Sequence, residues 1–119
     1  MIPLNLSEDQ EQTSVVNWLE RKGYCVFAVP NGGKRALRTA VNLKRTGTRR
    51  GAPDLVLISR APANGEPTII EMKKKKGATY SPEQLALHEI ARAERWNVIA
   101  PPKGFAAAWV IQQLQALGY

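Results

Sequence analysis

Asp54, Glu71, Lys73 and Glu11 are the residues whose types and spacing can do chemistry together. Pro53-Asp54 opens one strand-like run, Asp54 to Ser59, and Glu71-Met72-Lys73 closes the next, Thr68 to Lys73. The intervening Ala61-Pro62-Ala63-Asn64-Gly65 reads as a loop, so an antiparallel pair is expected. Side chains alternate along a strand, which puts Glu71 and Lys73 on one face and Met72 on the other. A symmetric register sets Asp54 opposite Glu71. Carboxylates directly across a strand pair repel, and partial burial forces them to gain a cation or lose a charge. A divalent ion resolves the conflict, because carboxylate oxygens suit magnesium or manganese. The Lys73 ammonium would then orient a water on the metal or neutralise charge developing on a phosphate oxygen. With the ion polarising the ester and helping to generate hydroxide, these parts describe metal-assisted hydrolysis of a phosphodiester.

Each motif alone is common, and a strand ending in Glu-Met-Lys is often a solvated edge. The combination gains weight from the elements around it. Ser7 with Gln10 forms a capping-box pattern followed by acids in the first turn, so a helix is predicted from about Glu8 to Lys22, ended by Gly23. Its apolar face is Val15, Trp18 and Leu19. Glu11, four residues before Val15 and seven before Trp18, is placed on the buried side, as a third oxygen ligand. Tyr24 to Val29 is rich in strand formers. Arg35 to Arg45 carries Leu37, Ala40 and Val41 at helical spacing. Ser81-Pro82-Glu83-Gln84 is a second helix start, with Ser at the N-cap and Pro at the first helical position, running to about Arg95. Trp96 to Ala100 is a short strand and Phe105 to Leu117 a last amphipathic helix. The order is α-β-α-β-β-α-β-α, for which a mixed sheet flanked by helices is the expected α/β architecture.

The charge is arranged as this chemistry would need. The 119 residues carry a formal net charge of +7. No acid occurs between Glu20 and Asp54, whereas Arg21, Lys22, Lys34, Arg35, Arg38, Lys44, Arg45, Arg49 and Arg50 contribute nine cations, and the remainder of the chain is net acidic. A second run follows at Lys73, Lys74, Lys75 and Lys76. A solvated basic face, or an import signal for the lysine run, is the plain reading of isolated charges. Nine uncompensated cations in one stretch instead favour a polyanion, held with a steep salt dependence.

Taken in order, Gly51-Ala52-Pro53-Asp54-Leu55-Val56-Leu57, Ile70-Glu71-Met72-Lys73 and Ser81-Pro82-Glu83-Gln84 resemble the VRR-NUC (virus-type replication-repair nuclease) group of the PD-(D/E)XK nuclease superfamily. The resemblance runs from Glu11 to about Ala100. It implies a restriction-endonuclease-like mixed β-sheet of about four strands flanked by helices, in one nuclease domain over residues 1–119. It implies that Asp54 and Glu71 are metal ligands, with the Met72 carbonyl a further one, and that Lys73 is the catalytic lysine. Glu11 would be the helix-borne acid, with Glu8 and Asp9 as neighbouring alternatives, and Gln84 would lie near the site. Asn31-Gly32-Gly33-Lys34-Arg35 is similar to the family's basic loop. Stand-alone members, of the kind found in phages and bacteria, resemble archaeal Holliday-junction resolvases, which implies a homodimer cutting branched DNA at two symmetric positions.

Other residues are read more plainly. Gly32-Gly33-Lys34 is not a phosphate loop, because position 28 is Ala and position 35 is Arg. Cys25, the only cysteine, excludes an internal disulfide and a thiolate-rich zinc site, and is expected to be a small buried hydrophobe. His88 falls one turn after Gln84 and is expected to be partly solvated. Trp18, Trp96 and Trp109 are expected in the core or an interface, as is the stripe Phe105, Trp109, Val110, Leu114 and Leu117. Tyr80 is the candidate for stacking on a base. No signal peptide or run of about 18 apolar residues occurs, so a soluble, intracellular and cytoplasmic protein without a membrane partner is expected. The alternatives to a junction-cutting endonuclease are a non-enzymatic module that binds structured nucleic acid, and a monomeric flap or nicking nuclease.

Overall fold

A computed structural model describes residues 7–30, 45–72, 79–102 and 107–119. The first helix, α1 (Glu8–Arg21), starts as predicted: the Ser7 hydroxyl accepts from the Gln10 amide, and the Gln10 side chain returns an acceptor to the Ser7 amide. This reciprocal bonding satisfies two of the orphan donors of a first turn. Gly23, at φ +85°, follows the C-cap Lys22 and turns the chain toward the sheet.

Four strands follow, β1 (Val26–Ala28), β2 (Leu55–Leu57), β3 (Thr68–Ile70) and β4 (Asn97–Ile99), lying side by side in sequence order. The β1–β2 and β2–β3 pairs are antiparallel, whereas β4 returns parallel to β3 after a crossover through α2 (Pro82–Ala93). The expected mixed sheet between helices is thus observed, with α3 (Ala107–Ala116) as the last element. The helix expected over Arg35 to Arg45 lies outside the described residues except at its end.

The two faces of the sheet are unequal. Leu55, Leu57, Ile70, Met72 and Ile99 point to one side, where Val15 and Leu19 of α1 and Val110 and Leu114 of α3 close over them as the core. Burying four such aliphatic side chains contributes several kcal/mol at roughly 1.5–3 kcal/mol each. Val56 and Ile69 point to the other side, toward α2, where they line a groove of about 280 Å³ with Pro53, Leu87, Ile90, Ala91, Glu94 and Trp96. The apolar stripe of α3 is spent mostly within this fold: Val110 and Leu114 are fully buried, and Trp109 and Leu117 pack partly buried against the core. Trp18 does the same on α1, with the Lys22 ammonium 4.4 Å from its ring centre.

Cys25 departs from expectation: it is exposed. It adjoins β1, an edge strand whose Phe27 and Ala28 are also exposed, while α2 packs on β4 at the opposite edge. No helix among the described residues is long and apolar enough to cross a membrane.

Candidate active site

The β2–β3 register pairs Leu55 with Ile70, Val56 with Ile69 and Leu57 with Thr68. Continued by one residue, it sets Asp54 opposite Glu71, as the symmetric hairpin predicts. Directly opposed residues of an antiparallel pair share a face, here the face that carries Val56, Ile69 and α2. Both backbones are clamped from outside the pair. The Val29 amide donates to the Asp54 carbonyl at 2.9 Å, and the Glu71 amide donates to the Ile99 carbonyl at 2.8 Å. The two acids therefore sit on the central strands of the sheet, held from β1 on one side and β4 on the other.

Their side chains have different surroundings. The Asp54 carboxylate is half-buried and accepts through Oδ2 from the Met72 amide at 2.7 Å, where strand pairing stops. Glu71 is fully buried, and its Oε2 lies 2.8 Å from His88 Nε2. Met72 points into the core, so alternation along this segment is as expected. Tyr80 closes the arrangement, with its hydroxyl donating to the Pro101 carbonyl at 2.6 Å and its ring edge-on to His88 at 5.4 Å. Burial, followed by the charges of Glu71 and Asp54, raises the Tyr80 phenol well above its ordinary value of 10.0. Two hard carboxylate donors on one face suit a divalent cation in their chemistry.

Glu11 is placed differently from the expectation of a third acid beside this pair. Its Oε2 accepts from the Ala107 amide at 3.0 Å, at the start of α3. Among the described residues, no group of three or more His, Cys, Asp or Glu side chains gathers to hold a metal ion. The reason is topological: α1 packs with α3 on the core face of the sheet, whereas Asp54 and Glu71 look toward α2. Gln84 sits on α2 one turn before His88, and its side-chain oxygen accepts from the Ser81 amide at 2.8 Å, completing the capping box. Lys73 and its neighbours Lys74, Lys75 and Lys76 lie outside the described residues, as do Lys34, Arg35, Arg38 and Lys44. Arg45, Arg49 and Arg50 are exposed. The loop carrying them reaches the site through Gly51, whose backbone presses on the first turn of α2. A Cβ there would lie 2.5 Å from the Glu83 carbonyl carbon and oxygen.

Two residues of the site differ from their sequence reading. His88 is 2 % exposed rather than partly solvated, because the i, i+4 spacing from Gln84 puts it on the sheet-facing side of α2. Tyr80 is turned inward onto Pro101 and His88 instead of standing free for a base.

Comparison of the sequence with protein-family profiles and with curated proteins finds no match. Comparison of the fold with solved structures does. A structure titled "VRR_NUC domain protein" superposes with a TM-score of 0.71 at 26% identity, covering 97% of this chain and 93% of that one. A second, titled "VRR_NUC domain", gives 0.59 at 24% identity over 91% of this chain and 94% of that one.

Proposed function

For a chain that carries a VRR_NUC domain, we propose the function of a metal-dependent endonuclease that hydrolyses phosphodiester bonds in branched DNA, four-way junctions above all. The observation that carries the reading is the register of the two central strands, which, continued one residue past Leu55 and Ile70, sets Asp54 opposite Glu71 on one face. Asp54 and Glu71 would hold the ion, with the Met72 carbonyl as a further oxygen. A bound magnesium or manganese ion supplies polarisation of the phosphodiester and activation of water. The protein's own part is rigidity and charge. The sheet backbone fixes both acids before substrate arrives, and such preorganisation avoids reorganisation at the moment of reaction. Lys73, two residues beyond Glu71 in the sequence, would neutralise charge on a phosphate oxygen. Lys34, Arg35, Arg38, Lys44, Arg45, Arg49 and Arg50, with Lys74, Lys75 and Lys76, would hold the DNA backbone, and a homodimer would bring two such sites to a junction.

The test is incubation of a synthetic four-way junction and a linear duplex with the protein, in Mg2+ or Mn2+ and in chelator, with Asp54→Ala and Lys73→Ala as controls. Paired cuts in the junction that need metal and vanish in both variants are expected. Cutting by both variants at the wild-type rate overturns the reading. Salt-sensitive binding indifferent to magnesium and without strand scission identifies a nucleic-acid-binding module instead. Sedimentation separates the symmetric dimer from a monomeric flap or nicking nuclease.

A further inference from the structure

We propose that His88 is a positioning residue of this site: its Nε2–H reserves Oε2 of Glu71 and fixes the carboxylate in the orientation from which it serves a cation. The inference rests on the metal reading above and adds to it a residue from a different element. Both side chains are almost completely buried, 2 % and 1 % exposed, and their contact is 2.8 Å. An ionised carboxylate only accepts hydrogen bonds, so with Glu71 ionised, as a metal ligand must be, the nitrogen facing it carries the proton. Three constraints hold that ring in place. Its backbone belongs to α2, which is capped by Ser81 and Gln84 and carries Pro82 at its start. Tyr80 packs edge-on against it, and the Tyr80 hydroxyl is tied to Pro101 just beyond β4. The helix is further pinned by Gly51, three residues before Asp54. A glutamate side chain has three torsions and costs entropy to order; here a residue on the covering helix orders it before any ligand binds. Such outer partners of metal-binding side chains typically account for about 10–100-fold in metal affinity.

His88 is the only histidine of the chain, so nitrogen resonances of histidine-labelled wild-type protein report on this side chain alone. Nε2 is expected to carry the proton, and its resonance to shift saturably as Mg2+ is added, in step with binding followed by calorimetry. Saturation of the protein by calorimetry with an unchanged Nε2 signal overturns the inference and leaves the metal reading standing. Absence of any Mg2+ or Mn2+ binding by the wild type overturns both. Two variants of similar size add a second reading. His88→Gln retains a donor and is expected to bind Mn2+ within about 3-fold of wild type, whereas His88→Met removes it and is expected to bind at least about 10-fold more weakly. Equal affinities of the two variants contradict the assignment. If His88→Met does not fold, the wild-type resonance decides alone.

Discussion

The Asp54 carboxylate accepts a hydrogen bond from the Met72 amide at 2.7 Å, across the point where β2 and β3 stop pairing. The bond gives Asp54 two separable functions, as a backbone acceptor and as a charge. Asn in its place keeps an acceptor for the amide and loses the charge. Asp54→Asn is therefore expected to fold with a thermal midpoint within a few degrees of wild type, and to lose cleavage by about 100-fold or more, the scale of one strong electrostatic contribution at a reacting centre. Asp54→Ala leaves the Met72 amide without this acceptor and should cost a further 1–3 kcal/mol, roughly, in denaturant unfolding.

Gly51 links the basic loop to the site by absence of a side chain. Its φ of +85° is in the left-handed region, and a Cβ would meet the Glu83 carbonyl group at 2.5 Å. Gly51→Ala should destabilise the fold by about 1–3 kcal/mol, because the backbone conformation and the clash act together. Calorimetry should show this as a drop of several degrees, and an unchanged midpoint would refute the close approach.

Much of this site was legible from residue order, for reasons that are local. The hairpin register follows from two short β-rich runs and one loop, and the register alone brings Asp54 and Glu71 together. Both capping boxes could be read because Ser7 with Gln10 and Ser81 with Gln84 bond within a single turn. What could not be read depends on which helix covers which face. Glu11 lies on the inward side of α1, as its spacing predicts, yet α1 lies on the core face with α3, so its carboxylate meets the Ala107 amide. His88 had the spacing to follow Gln84 into the site, but its burial depends on the parallel return of β4, which puts α2 over the Glu71 face. Cys25 looked like core because its neighbours are strand formers; the edge position of β1 leaves it in solvent.

The contact of Glu11 with Ala107 predicts a stability role. A carboxylate at a helix N-terminus satisfies an orphan amide and meets the positive end of the dipole, together about 1 kcal/mol. Glu11→Ala should lower the thermal midpoint by about 4 °C, and Glu11→Gln, which keeps the acceptor, should recover part of the loss. Equal midpoints for Glu11→Ala and wild type would contradict this role.

The raised phenols of Tyr80 and Tyr119 predict alkaline sensitivity. Burial is the main cause for each, reinforced at Tyr80 by Glu71 and Asp54. A raised folded value means that the native state keeps a proton which the unfolded chain releases near pH 10. The stabilisation is complete below that pH and is lost as pH rises above it. The thermal midpoint should fall on going from about pH 9.5 upward, less steeply in Tyr80→Phe, and absorbance at 295 nm should show fewer than the three tyrosines ionising before the protein unfolds. Ionisation of all three in the native protein near pH 10 would refute it.

The claim on which the account turns is that Asp54 and Glu71 share one divalent ion. Crystals soaked in manganese and measured at its absorption edge test it directly. An anomalous peak bonded to an oxygen of each carboxylate is the predicted result. A manganese ion bound elsewhere, or at Asp54 with Glu71 uninvolved, would contradict it.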